Sequence, residues 1–196
     1  MAEIWAIILA AGESGRMKAN KLLLPFRGKT MVETVIGNVL NSRIDRVMMV
    51  TGKYHDQLLP VLRTLKVDWC YNPTFERGML SSVQCGIEHI PASAETILVF
   101  LGDQPDIPAE VPDQLIRAHH LSGKGIVLPV FRGRRGHPLL FGHKYREAIA
   151  QLDHSVGLRG LLHMHPDDIL EMETEMPGIL RDVDTIEDYQ KLTQSK

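Results

Sequence analysis

The stretch "LAAGESGRMKANKLLLP", residues Leu9–Pro25, follows the apolar run Ile4–Leu9 and gathers Gly12, Gly15, Arg16, Lys18 and Lys21 into one short span. A buried strand that gives way to small residues and cations has the composition of an anion-binding loop. Ala10, Ala11 and Gly12 carry little or no side chain, so a ligand can approach their backbone N–H groups, while Arg16 and Lys21 can neutralise a polyphosphate. Two familiar phosphate motifs are excluded by spacing. Gly28-Lys29-Thr30 would end a Walker A loop, but Leu23 stands where its first glycine is required. Gly12 and Gly15 lack the G-x-G-x-x-G spacing of a dinucleotide fingerprint. Taken alone, the stretch leaves open an ordinary turn with solvated cations.

The rest of the chain continues the alternation that this stretch begins. Apolar runs at Ile4–Leu9, Arg46–Thr51, Val67–Cys70, Thr96–Leu101, Gly125–Val130, Leu139–Phe141 and Ile169–Met172 read as strands. Between them, Met31–Asn41, His55–Thr64, Leu80–His89, Val111–Leu121, Tyr145–Gln151 and Gly157–His163 read as helices. A last helix is expected from about Ile186, with Thr185 as its N-cap and the acids Glu187 and Asp188 in its first turn. Such alternation predicts an α/β fold with a mostly parallel sheet covered by helices on both faces. No repeat, low-complexity tract or linker divides the chain, so residues 1–196 are expected to form one domain. Ligands of such sheets bind beyond the carboxyl ends of the strands. Three segments fall there: the opening loop, "LGDQPD" (Leu101–Asp106) and "FRGRRGHP" (Phe131–Pro138).

A length of 196 residues is enough to bury a sizeable core, and a net charge of -2 argues against a general binder of nucleic acid or membrane surfaces. No 18-residue apolar run suggests a membrane span, and the N-terminal apolar segment reads as a buried strand and not a signal peptide. Cys70 and Cys85 form neither a CxxC pair nor a zinc spacing, and are expected to be free thiols in a reducing cytoplasm. The histidines show no HExxH pattern, and His163-Met164-His165 reads as a surface turn, so no zinc site is expected.

The opening stretch, with "NPTFERGMLSSVQCGI" (Asn72–Ile87), "FLGDQP" (Phe100–Pro105), "RGRRGHPLLF" (Arg132–Phe141) and "DVDTIEDY" (Asp182–Tyr189) following in order, resembles the MobA-like nucleotidyltransferases, above all their molybdenum cofactor cytidylyltransferase branch. Lys18 stands where the family commonly has Gly, and Ile186 where it commonly has Pro. The resemblance implies a three-layer Rossmann-like nucleotidyltransferase fold and a cytoplasmic enzyme that uses Mg2+. The implied reaction moves CMP from CTP to molybdopterin and releases pyrophosphate. Alternatives are guanylyl transfer from GTP to the same acceptor, cytidylyl transfer to a sugar or polyol phosphate, or a non-catalytic accessory protein that hands the cofactor to a molybdenum hydroxylase. The guanylyl branch typically shows Ala-Gly-Gly where this chain has Ala10-Ala11-Gly12, which favours CTP.

Residue roles follow from the resemblance together with the chemistry. Two anions must meet, so cations and a divalent metal have to reduce their repulsion. Asp103, at a strand's carboxyl end, matches the family's metal ligand; its alternative role is an Asx turn before Pro105. Asp184 is the second candidate ligand, or else a carboxylate serving the helix N-terminus. Asp182 and Asp106 are read as structural. Arg16, Lys21 and Asp103 are the expected catalytic residues, and Leu9, Ala10, Ala11, Gly12, Gly78 and Ser82 join them around the nucleotide. Arg134, Arg135 and His137 are the expected acceptor clamp, with a solvated basic loop as the alternative.

Overall fold

The computed structural model describes residues 3–13, 17, 19–65 and 67–194. Its central strand β1 (Glu3–Ala10) is apolar on both faces and pairs in parallel with β4 (Arg46–Thr51) on one side and β6 (Ala94–Leu101) on the other. A strand covered on both faces must be apolar at every position, which is why the run lacks alternation. Between β1 and β4 lie a two-strand hairpin, β2 (Pro25–Phe26) and β3 (Lys29–Thr30), and helix α1 (Met31–Leu40). Thr30 and Glu33 form a reciprocal capping box that starts α1. Helix α2 (His55–Leu62) returns the chain to the edge strand β5 (Asp68–Tyr71), and α3 (Met79–His89) carries it across the sheet to β6.

After β6 come α4 (Glu110–Ser122), β7 (Ile126–Phe131), the short β8 (Arg134–Arg135), β9 (Leu139–Gly142), α5 (Arg146–Ala150), α6 (Arg159–Met164), β10 (Ile169–Glu173) and α7 (Ile186–Gln194). The strand order is β10-β7-β9-β6-β1-β4-β5, with β8 paired to β7. The sheet is mostly parallel; β9 runs antiparallel to both of its neighbours. The expected strands and helices are all present, with ends shifted by one or two residues. The unexpected strands are those of the hairpin and β8, which folds part of the expected Phe131–Gly136 loop back onto β7.

Side-chain alternation along β1 divides the core into two layers. Ala6, Ile8 and Ala10 pack with α1, α2 and α4, while Trp5 and Ile7 pack with α3, α5 and α6. On the second face α3 lies close to the sheet: a Cβ at Gly86 would sit 2.7 Å from the Ile7 side chain. The three layers therefore form as the resemblance implies. Among the described residues, no helix is long and apolar enough to cross a membrane.

The chain order reverses at β1. It visits β4 and β5 on one side and then returns to β6 on the other. A crevice opens where the loops after β1 and β6 part, the usual ligand position in open α/β sheets.

Candidate active site

At this crevice lies a cleft of about 870 Å³. The opening loop contributes Leu9, Ala10, Ala11 and Gly12 to its lining, the opposite wall contributes Gly78 and Ser82, and the floor is formed by Lys21, Asp103 and Asp184. The loops at its base are fixed by backbone contacts. Gly102 N–H donates to the Leu9 carbonyl at 2.9 Å, and a side chain at Gly102 would collide with that same oxygen. Gly52 passes so close to Ala11 that an added Cβ would lie 2.6 Å from the Ala11 oxygen.

Lys21 lies in a single 3-10 turn, Lys21–Leu23, which Asn20 caps by accepting the Leu22 N–H at 3.3 Å. From there its ammonium reaches Asp103 Oδ2 at 2.5 Å and Asp184 Oδ1 at 3.0 Å. Burial alone would pull the Lys21 pKa down; the two carboxylates outweigh it, and the net shift is upward, so the ammonium stays charged. Asp103 follows β6, and its carbonyl accepts the Val183 N–H at 3.3 Å, which ties the segment before α7 to the end of that strand. Asp182 and Asp184 both line the cleft, while Val183 between them is buried on the other side. Burial, followed by the nearby Asp103 charge, raises the Asp182 pKa, and Gln104 Nε2 donates to that carboxylate at 2.5 Å. Among the described residues, the floor is thus Asp103, Asp182 and Asp184 facing Lys21. Asp106 instead pairs with Arg27 and Arg181, a structural role.

The opposite wall is organised by Asn72, a buried residue just after β5. Its amide donates to Ser81 Oγ at 2.9 Å and Ser82 Oγ at 3.0 Å, and its oxygen accepts the Thr74 N–H at 2.9 Å. This network sets the turn that leads into α3. Gly78, at φ 95°, makes that turn in a backbone region that side-chain-bearing residues rarely occupy. Ser82 is held with its hydroxyl at the cleft, and Phe75, Glu76 and Met79 complete the wall.

The expected acceptor residues separate. Arg135 lies on β8 and donates to Glu171 Oε1 through Nε at 2.8 Å and Nη2 at 2.5 Å, away from the cleft. Arg134 is exposed beside it. His137 is half-buried, its backbone N–H donates to the Ile179 carbonyl at 3.1 Å, and its peptide bond to Pro138 is cis. Burial lowers the His137 pKa, partly opposed by the charge of Asp103, and His137 is not among the residues that line the cleft. Arg16 and Lys18 lie outside the described residues. The fold therefore brings together Leu9–Gly12, Lys21, Gly78, Ser82, Asp103 and Asp184. Sequence reasoning missed Asn72, Phe75, Glu76 and Met79 as site residues and gave Asp182 only a structural role. Asn72 was flagged by no more than a polar residue at a strand's carboxyl end, and the i, i+2 spacing of Asp182 and Asp184 was the available sign that they share a side.

Chemically, hard oxygen donors beside a charged amine, with a loop of small residues alongside, suit a cation-assisted reaction on a polyphosphate. Comparison with known proteins places the chain among relatives. The chain is 28% identical over 190 residues to the molybdenum cofactor cytidylyltransferase of Escherichia coli, covering 96% of this chain and 95% of that one. It is also 29% identical over 202 residues to the nicotine blue oxidoreductase of Paenarthrobacter nicotinovorans, covering 96% of each. Among solved structures, a nucleotidyl transferase from Methanothermobacter superimposes with a TM-score of 0.84 at 24% identity, covering 97% of this chain and 96% of that one. A manganese complex of a Mycobacterium tuberculosis protein superimposes at 0.79 with 22% identity, over 100% of both chains. The profile of the MobA-like NTP transferase domain matches residues 6–169, and the chain belongs to that family of nucleotidyltransferases.

Proposed function

We propose that this nucleotidyltransferase moves CMP from CTP to a molybdopterin-type acceptor in the cytoplasm, releasing pyrophosphate, with Mg2+ held by Asp103 and Asp184. The observation that carries the reading is the contact of one buried ammonium with both carboxylates at the base of the cleft. The donor set fits a hard divalent cation: two carboxylates from different elements, with Asp182 close enough to respond to their charge. When bound, Mg2+ neutralises charge on the triphosphate and on the departing pyrophosphate.

The chain's own groups do the rest. Backbone N–H groups of Ala10, Ala11 and Gly12 cradle the phosphates, and Arg16 and Lys21 offset charge as it builds on the leaving group. Gly78 and Ser82 receive the base and ribose. His137, neutral at pH 7, orients the acceptor by hydrogen bonding. Arg134 and Arg135 extend the acceptor side only if the Arg135–Glu171 pair opens. No covalent enzyme intermediate is required: an acceptor phosphate oxygen attacks the α-phosphorus in line, and pyrophosphate leaves on the opposite side. The full-length similarity to a relative named for cytidylyl transfer to the molybdenum cofactor supports the choice of base and acceptor. The downstream recipient of the product would be a molybdenum hydroxylase.

Pyrophosphate release, measured with each nucleoside triphosphate against molybdopterin, a polyol phosphate and no acceptor, tests the reading. CTP with molybdopterin should be fastest. Faster release from GTP overturns the choice of base, release with the polyol phosphate alone overturns the acceptor, and no release with any pair points to the accessory role.

A further inference from the structure

The two cysteines meet between α3 and the edge strand β5, in the same apolar layer as Trp5 and Ile7 of β1, in a cluster that the cleft does not use. Cys70 lies on the edge strand β5, and Cys85 lies on α3 with His89 one turn later. The i, i+4 spacing puts Cys85 and His89 on one helix face. Cys70 Sγ is 3.7 Å from Cys85 Sγ, Cys85 Sγ is 3.9 Å from His89 Nδ1, and the three donor atoms all lie within 4.8 Å of one another. Both sulfurs are buried, whereas His89 is exposed.

We propose that Cys70, Cys85 and His89 form a binding site for a thiophilic divalent cation such as Zn2+. Two thiolates on one tetrahedral zinc, with bonds of about 2.3 Å, stand about 3.8 Å apart, and a thiolate and an imidazole nitrogen about 3.6 Å apart. The sulfurs already have that separation, and His89 needs a modest rotation, giving up the hydrogen bond between its Nδ1 and the Cys85 carbonyl at 2.8 Å. A disulfide would need the sulfurs at about 2.05 Å, much closer than they stand. Charge also favours the cation. Binding releases the two thiol protons, and two thiolates then neutralise a divalent ion where it is least solvated, while the exposed histidine side leaves an entry path and room for a water as fourth ligand. The separation of 15 and 4 positions along the chain matches no familiar zinc spacing, which hides the cluster in the sequence.

The site has a consequence for the cleft. Cys70 and Cys85 bracket Asn72, Gly78 and Ser82, so a bound ion would fasten both ends of the segment that forms one cleft wall.

The test uses untagged, reduced, metal-free full-length protein titrated with Co2+ and then with Zn2+. One equivalent of Co2+ should produce a thiolate-to-cobalt charge-transfer band, and Zn2+ should bleach it. The band should be lost in Cys85→Ser and kept in Asp103→Asn, which separates this site from the proposed catalytic one. His89→Ala, an exposed change that leaves the core untouched, should weaken binding by at least the ~10–100-fold typical of losing an outer-shell partner. Absence of the band in reduced wild-type protein, its survival in Cys85→Ser, or unchanged affinity in His89→Ala overturns the proposal. So does recovery of the two cysteines as a disulfide that forms while Zn2+ is present.

Discussion

Lys21→Met is expected to weaken the free protein while improving its hold on a divalent cation. At 2.5 and 3.0 Å, and with an effective dielectric of about 20, the two contacts of the ammonium correspond to about 5–7 kcal/mol each of raw Coulomb attraction. Desolvation of the ions offsets most of that. The Asp184 side chain is 43% exposed, so its share shrinks towards the ~0–1 kcal/mol of a surface pair. The Lys21 and Asp103 side chains are 12% and 17% exposed, and their pair carries the larger part. A net loss of about 2–3 kcal/mol follows, because Met removes the ammonium that Asp103 and Asp184 share beside Asp182. For a chain of this size that lowers Tm by about 4–12 °C.

The same arithmetic reverses once a divalent cation is added. In the parent protein an entering cation must displace the Lys21 ammonium from the carboxylates; in Lys21→Met it does not. If about 1.4 kcal/mol of the Lys21 attraction is lost on displacement, the variant should bind Mg2+ about tenfold more tightly. At saturating Mg2+ that adds about 1.4 kcal/mol to the metal's stabilising effect. The assay is thermal melting with and without MgCl2 for the parent, Lys21→Met and Asp103→Asn. The Mg2+-induced rise should be larger in Lys21→Met than in the parent and smallest in Asp103→Asn. Pyrophosphate release should nonetheless fall ~10²–10³-fold in Lys21→Met, since a cation aimed at the developing charge is gone. An Mg2+ effect no larger than the parent's refutes the idea that Lys21 and the metal compete for one pair of carboxylates.

Three other changes test separate parts of the cleft. A Cβ at Gly12 meets nothing within 4 Å, so Gly12→Val should leave Tm within about 1 °C, while its branched side chain in the phosphate path lowers CTP affinity in a calorimetric titration. His137→Ala should raise the KM for the acceptor and leave CTP affinity without acceptor unchanged, as initial rates and titration together would show. Burial alone would raise the Asp168 pKa, but Lys144, Tyr145 and the Gly125 N–H overcome it and the net shift is downward. A depressed carboxylate stabilises above its unfolded pKa of about 3.9 and loses that contribution as pH falls through its folded value. Asp168→Asn should therefore cost ~1–3 kcal/mol at pH 7 and flatten the acid limb of the stability curve below about pH 4, as urea melts across pH would record.

What could be read from the sequence depended on how local its physical cause was. The run Ile4–Leu9 betrays a central strand because burial on both faces forces unbroken apolar character, and the Thr30–Glu33 capping box fixes the start of α1 from four neighbouring residues. The reversed direction of β9 was not legible. A four-residue strand has the same apolar pattern either way, and its direction is set by β6 and β7, which flank it in space. The hairpin was invisible because two-residue strands have no period to detect. In the site, Leu9–Gly12 and Asp103 could be placed because they end apolar runs, whose carboxyl ends face the crevice. The basic loop could not be resolved by composition: Arg135 and His137 are two residues apart, yet Arg135 is exposed and paired with Glu171 while His137 is half-buried within reach of the Asp103 charge. Charge type said that this loop could bind an anion; only the pairing of β8 to β7 shows that Arg135 turns to Glu171 instead.

That division explains how the opening stretch comes to hold a lysine among acids. Lys21 is 82 positions from Asp103 and 163 from Asp184, so nothing local joins them; the switch point after β1 and β6 does. Three carboxylates gathered there would push the cleft floor apart in the free protein. One compact ammonium on a flexible stem neutralises part of that charge, and under the proposed function it would turn towards an incoming triphosphate as a divalent cation took over the carboxylates. Arginine suits this exchange less well. Its planar fork matches a single carboxylate through two parallel bonds, whereas here one nitrogen reaches oxygens of two different side chains at 2.5 and 3.0 Å. On the proposed function, the residue that holds the floor together in the free protein also serves the phosphates when substrate is bound. Its stabilising and proposed catalytic contributions would then belong to different states of the cleft, so melting and turnover should respond to its loss on separate scales.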